Sequence, residues 1–293
     1  MSFETATKTI DLILDNDERV SNYCKLDDNL GLIFNYIGGE PLLEIELIDK
    51  VTKYCIGRMF KMKHPFLLTT MFNICSNGLL HFDPKVQDYL KTFEGFCNYT
   101  ISLDGCKDLH DSCRVDANGM GTYDRAIKGI QDYTSKFPNN NLGTKMTLSP
   151  DNVSYTCKAL TSMIENGFTD INCNCVYEEG WTIEHARILY SELKKVIDYL
   201  DEHNLLEEVY ISILDPIAGE PMPETDLKNW CGGTGLMLAV NYTGNFYPCL
   251  RYMETSQQTE DELFIIGNIE DGIGQKETEK AKIQLLDSVD RKT

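Results

Sequence analysis

The stretch Asn35-Tyr36-Ile37-Gly38-Gly39-Glu40-Pro41 decides the predicted fold. It follows the apolar run Leu32–Phe34 and precedes a helical pattern that begins at Leu42, so it predicts the turn between a strand and a helix. Glycines leave the backbone open to a ligand because they have no Cβ, and a glutamate accepts hydrogen bonds from an ammonium group. On these residues alone two interpretations stay open: a tight structural turn with a solvated glutamate, or a binding site at the end of a strand.

Six apolar segments along the chain predict strands, and helical patterns separate them. Regular alternation of strands and helices indicates a parallel sheet with crossover helices, and sites in barrels of this kind lie at the C-terminal ends of the strands. Polar residues follow every one of these segments. We therefore predict an α/β fold in which residues 1–215 form a partial (β/α)6 TIM-like barrel, preceded by a helix at residues 3–15. The predicted strands are Leu32–Ile37, Phe66–Ile74, Tyr99–Leu103, Lys145–Leu148, Ile171–Tyr177 and Val209–Leu214.

The character of the sequence changes after Pro216, where glycine, proline, asparagine and threonine become dense. Residues 216–293 are therefore predicted to be a second, smaller region that contains a β-hairpin and ends in a charged helix. The hairpin brings Cys231 and Cys249 close together at its open end. Two thiolates that converge in this way bind metals, and two buried free cysteines explain the residues equally well.

Composition excludes several kinds of partner. The chain has 293 residues and a formal net charge of -19, which argues against binding to nucleic acid or to an anionic membrane surface. No apolar run approaches the roughly 20 residues of a membrane span, and there is no export signal, so we predict a cytoplasmic protein. Its eleven cysteines are an odd number, which does not indicate a disulfide framework.

The motifs at the predicted strand ends, taken together, resemble the radical S-adenosylmethionine (SAM) superfamily. Within it they are most similar to the branch that carries a SPASM domain, which includes anaerobic sulfatase maturases and maturases of cysteine-repeat peptides. The matches occur in the family's order over nearly the whole chain. They are Gly38-Gly39-Glu40-Pro41-Leu42, Ser76-Asn77-Gly78, Ser102-Leu103-Asp104-Gly105, His110-Asp111 with Arg114, and Cys231 with Gly244 and Cys249.

This resemblance implies a chemistry and a set of residue roles. A [4Fe–4S] cluster held by three cysteines binds SAM and generates a 5′-deoxyadenosyl radical, which takes hydrogen from a ribosomally made peptide; thioether formation is the reaction that the subfamily implies. Carried onto this chain, the resemblance makes Gly38, Gly39 and Glu40 the site for the methionine ammonium. Ser102 and Arg114 contact the ribose and carboxylate, Asn77 shapes the SAM pocket, and Cys231 and Cys249 ligate an auxiliary Fe–S cluster.

The sequence also departs from the family pattern. No three cysteines have the C-x3-C-x2-C spacing of the SAM-cleaving cluster, no cysteine follows Cys249, and Leu250 stands where sulfatase maturases have an aspartate base. We therefore expect a barrel that lacks its first strand and a partial SPASM region, hence a maturase cut at both ends, inactive alone and completed by a second polypeptide.

The alternative is a degenerate, non-catalytic module that binds SAM or a peptide. An unrelated phosphate-binding barrel is disfavoured, because the chain has no late glycine-rich phosphate loop and carries acidic residues at the strand ends.

Overall fold

A computed structural model describes residues 1–24, 31–138, 140, 143–176, 180–216, 235–253 and 264–287. The chain divides into two compact units. Unit 1 comprises Met1–Leu32, Glu46–Thr70 and Pro221–Thr293, and unit 2 comprises Ile33–Ile45 and Met71–Glu220. The predicted division into a core at 1–215 and a second region at 216–293 stays a prediction.

Helices and strands alternate through most of the chain. The helices are α1 (Phe3–Leu14), α2 (Glu18–Ser21), α3 (Ile45–Met62), α4 (Pro84–Thr92), α5 (Lys107–Cys113), α6 (Tyr123–Lys136), α7 (Thr156–Glu165), α8 (Ile183–Glu202) and α9 (Glu277–Asp287). The strands are β1 (Ile33–Tyr36), β2 (Met71–Ser76), β3 (Cys97–Ile101), β4 (Gly143–Leu148), β5 (Asp170–Cys175), β6 (Tyr210–Ile211), β7 (Ala239–Val240), β8 (Asn245–Tyr247), β9 (Gly267–Asn268) and β10 (Gly272–Ile273).

Unit 2 contains two parallel sheets, in the order β1-β2-β3 and β4-β5-β6. The hydroxyl of Thr144 on β4 donates a hydrogen bond to the carbonyl of Ile101 on β3 at 3.3 Å, so the two sheets adjoin. The predicted alternation is thus confirmed as a mixed α/β fold with parallel sheets. Closure into a partial (β/α)6 barrel without its first strand, and the SPASM assignment, stay predictions.

The first sheet has one apolar and one polar face, because side chains alternate along a strand. Phe72 and Ile74 of β2 are fully buried, and the rings of Phe34 and Tyr36 stack on Phe72 with centroids 5.4 and 6.1 Å away. On the opposite face the chain places polar residues such as Asn73. This asymmetry fixes the register, since a slip by one residue would exchange the two faces.

The bounds of two predicted strands were wrong, because a 3-10 helix occupies part of each apolar run. The predicted strand Phe66–Ile74 begins only at Met71, because Pro65–Leu68 forms a 3-10 helix capped by His64, whose ring Nδ1 accepts from the Phe66 N–H at 3.2 Å. Proline at the start of this helix has the fixed φ that a helix needs. The predicted strand Val209–Leu214 is confined to Tyr210–Ile211, because Ser212–Leu214 forms a 3-10 helix.

Unit 1 packs α1 and α2 on an antiparallel sheet of order β10-β9-β8-β7. Leu12 and Val20 join the sheet residues Phe246 and Ile273 in one buried cluster. The predicted hairpin is present as β7 and β8, and its turn has Gly244 at a φ of 89°. No helix in the described part of the chain is long and apolar enough to cross a membrane.

Candidate functional site at the ends of β1, β2 and β3

Glu40 joins the turn after β1 to the end of β2. It caps the 3-10 helix Pro41–Glu44, and its Oε1 accepts hydrogen bonds from the Leu42 N–H at 3.0 Å and the Ser76 hydroxyl at 2.8 Å. Its Oε2 accepts from the Asn77 N–H at 2.8 Å. Because an ionised carboxylate can accept about four hydrogen bonds, one acceptor position remains for a ligand donor.

Gly38 and Gly39 precede this carboxylate, and the fold of the described residues does not demand glycine at either position. A Cβ added at either one meets no atom within 4 Å, and neither has a positive φ. Gly78 differs, because its φ is +76° and an added Cβ would lie 2.7 Å from Cγ2 of Ile101. The two glycines after β1 therefore leave an open stretch of backbone that a ligand can approach closely.

Ser102 and Asn77 border the same place. The Ser102 N–H donates to the Ser76 carbonyl at 2.8 Å, and the Ser102 Oγ lies 3.4 Å from Sγ of Cys75. The Asn77 Oδ1 accepts from the Leu79 N–H at 2.9 Å, which closes a local turn at the end of β2. Glu40 thus binds Ser76 and Asn77, and Ser76 binds Ser102, in one hydrogen-bonded network.

The buried Asp104, which lies two residues after Ser102, holds the side chain of Arg114. Its Nε donates to Oδ2 of Asp104, and Oδ1 of the same carboxylate accepts from the Thr147 N–H on β4 at 3.3 Å. The side chain of Arg114 is 35% exposed. With Nε engaged, the two terminal Nη groups form the free edge of the guanidinium, whose fork geometry matches a carboxylate.

The structure therefore brings together the predicted residues on the first three strand ends. Ser76 and Asp104 organise this site although sequence reasoning gave them no role; the signal was a polar residue at the end of each strand. The predicted metal ligands are not tested: Cys249 is a half-buried free thiol in unit 1, and Cys231 lies outside the described residues. These assignments stay predictions.

The donors and acceptors of these residues have the chemistry that the amino-acid end of SAM requires. An acceptor position on Glu40, open glycine backbone and the guanidinium edge of Arg114 match an ammonium and a carboxylate. The SAM-cleaving cluster does not fit: the sequence has no C-x3-C-x2-C spacing, and the described residues hold no group of three or more His, Cys, Asp or Glu that could bind a metal.

Comparisons with known proteins agree with this fold. No family model matches the chain. An uncharacterized protein of Methanocaldococcus jannaschii, MJ0907, is 23% identical over 274 residues, which cover 92% of this chain and 80% of that protein.

Two solved proteins share the architecture. A native anaerobic sulfatase maturase, anSMEcpe, with bound SAM superposes with a TM-score of 0.68 at 18% identity, over 99% of this chain and 75% of its own. The same maturase with SAM and the Kp18Cys peptide superposes with a TM-score of 0.68 at 19% identity, over 99% of this chain and 76% of its own. SuiB of Streptococcus suis bound to its precursor peptide SuiA superposes with a TM-score of 0.60 at 14% identity, over 98% of this chain and 60% of its own. Both are radical SAM peptide maturases of the SPASM type, and the chain has their fold.

Proposed function

We propose that this chain binds the methionine end of SAM at the ends of β1, β2 and β3 and works in a radical SAM system that modifies a ribosomally made peptide. The observation that carries the proposal is the network of Glu40, Ser76, Asn77 and Ser102 beside two glycines that the described fold does not require. The structural neighbours support it, since anSMEcpe holds SAM and a peptide, and SuiB holds its precursor peptide.

Acidic, basic and neutral residues of the site bind different groups of SAM. Glu40 offers its remaining acceptor position to the SAM ammonium, and the backbone of Gly38 and Gly39 lets the ligand lie against the turn. Arg114 offers its Nη edge to the SAM carboxylate and Ser102 its hydroxyl to the ribose. Asp104 holds the guanidinium in place, so that ordering it costs less side-chain entropy when the ligand binds.

The reaction requires more than this site. A [4Fe–4S] cluster would supply the one-electron chemistry on SAM, and we propose that a second polypeptide brings the three cysteines that would hold it. Thioether formation in a ribosomal peptide is the reaction we propose for the complete system. Cys231 and Cys249 are the proposed ligands of an auxiliary cluster.

Calorimetry of SAM binding tests the site. Gly38→Val places a branched side chain over the open backbone and should abolish SAM binding without lowering the melting temperature. Gly180→Val is the matched control, since a Cβ at Gly180 also meets no atom within 4 Å; it should bind SAM as the wild type does. Equal affinity in the two variants, or no SAM binding by the wild type with or without reconstituted iron and sulfide, would refute the proposal.

A second candidate is a non-catalytic module that binds SAM or a peptide. One observation favours it: no three of the eleven cysteines have the spacing of a SAM-cleaving cluster. The two candidates differ in their products. After anaerobic incubation with iron, sulfide, a reductant and a polypeptide that carries C-x3-C-x2-C, the maturase should release 5′-deoxyadenosine from SAM. The binding module should bind SAM and release none.

A further inference from the structure

His110 matched a family motif but has no role in the site described above. Its ring is buried, and Nδ1 accepts a hydrogen bond from the Asp104 N–H at 3.2 Å. Its Nε2 lies 3.0 Å from Oγ1 of Thr122. Because a backbone N–H can only donate, Nδ1 must carry no proton, and Nε2 therefore carries the proton of the neutral ring and donates to Thr122.

Thr122 passes this connection on to Arg114. Its hydroxyl donates to the Arg114 carbonyl at 3.0 Å, and the Arg114 N–H donates to the His110 carbonyl at 2.8 Å. Since the Arg114 side chain also donates to Asp104, the four residues close a ring of hydrogen bonds. Both backbone polar groups of Arg114 and its Nε are tied into this ring, which leaves the Nη edge to face a ligand.

The hydroxyl of Thr122 does not make the capping hydrogen bond that is common at its position. It lies at the N-cap of α6, where a threonine hydroxyl commonly accepts from the first turn of the helix, yet it makes no such bond. Asp111 does this instead, because its Oδ1 accepts from the Tyr123 N–H at 2.8 Å. The Thr122 hydroxyl is thereby free for the ring.

We propose that His110 and Thr122 are positioning residues that hold Arg114 in the orientation in which its guanidinium meets a carboxylate ligand. The proposal rests on the proposed function of Arg114 in SAM binding.

The ring requires a neutral imidazole, because a protonated Nδ1 would face the Asp104 N–H as a second donor. Burial lowers the pKa of His110 and Arg114 lowers it further, whereas Asp104 and Asp111 act in the opposite direction. The ring is therefore intact at neutral pH. SAM affinity should therefore persist at pH 6.5, the ordinary pKa of histidine, and weaken only at lower pH, where the buried ring becomes protonated.

Thr122→Val tests the ring with little change of shape. It removes the hydroxyl and should weaken SAM binding about 10-fold, which corresponds to the loss of one or two hydrogen bonds. Thr122→Ser restores the hydroxyl and should restore the affinity. Thr156→Val is the matched control, because Thr156 is also buried and its hydroxyl only donates within its own segment, to the Val153 carbonyl at 2.7 Å.

A second readout needs no ligand. Exchange of the Arg114 Nε–H with solvent, followed by NMR and assigned by its loss in Arg114→Lys, should be slow in the wild type and in Thr122→Ser but fast in Thr122→Val. Unchanged exchange in Thr122→Val would overturn the positioning role. A wild type that binds no SAM but shows this pattern would instead refute the proposed function and leave the positioning of Arg114 standing.

Discussion

Replacing Glu40 with glutamine should destabilise unit 2 even when no ligand is bound. Glutamine has nearly the same shape as glutamate, but one of its two terminal atoms is an NH2 group that cannot accept a hydrogen bond. The wild-type carboxylate accepts from the N–H groups of Leu42 and Asn77, one on each oxygen. In either orientation of the new amide, one of these two N–H groups faces a donor and loses its acceptor.

The magnitude follows from the kind of hydrogen bond that is lost. A hydrogen bond to a charged group contributes about 1.5–3 kcal/mol to stability. For a unit of this size, each kcal/mol lowers the melting temperature by roughly 2–4 °C. The melting temperature of Glu40→Gln should therefore lie about 3–12 °C below that of the wild type.

Thermal unfolding followed by circular dichroism measures this shift. Glu44→Gln is the matched control, because Glu44 lies four residues further along and is exposed; a surface change of this kind alters stability by no more than about 0.5 kcal/mol. If the two variants melt at the same temperature, Glu40 does not tie β1 to β2, and the network that defines the site is wrong.

Further predictions concern the backbone, the pH dependence and the core. By thermal unfolding, Gly38→Ala should stay within about 0.5 kcal/mol of the wild type, whereas Gly78→Ala should cost about 1–3 kcal/mol because of its positive φ; equal costs would contradict the turn geometry. Burial lowers the pKa values of His81 and His110, so the unfolded chain binds protons more readily, and the free energy of unfolding from urea titrations should fall as the pH drops below 6.5. His81→Gln should reduce this slope. Phe72→Ala should cost about 3–5 kcal/mol in the same titrations, and a loss under about 1 kcal/mol would show that the ring is not buried.

Local patterns in the sequence predicted most elements of the fold. The period of apolar residues predicted the parallel strands and the helical segments between them, because burial on one face selects that period directly. The start of β2 was missed, since an apolar run after Pro65 has the same composition whether it forms a 3-10 helix or a strand. The tertiary context decided between the two.

The candidate site was likewise predicted only in part from the sequence. Gly38, Gly39 and Glu40 stand out in the sequence, because glycines and a carboxylate after an apolar run are a local signal. The hydrogen bonds from Ser76 and Asn77 to Glu40 join residues that are more than 30 positions apart in the sequence. Such contacts follow from the register of the parallel strands, which no local pattern reports.

The sequence by itself determined the alternation of strands and helices and the polar residues at the strand ends, because both are written in short-range patterns of burial and turn chemistry. The tertiary structure decided which of these residues meet. Only the packing of α5 beside the end of β3 joins His110 to Asp104, and only the return of the chain at Thr122 closes the ring around Arg114. Hydrogen bonds between separate segments need positions that the whole fold sets.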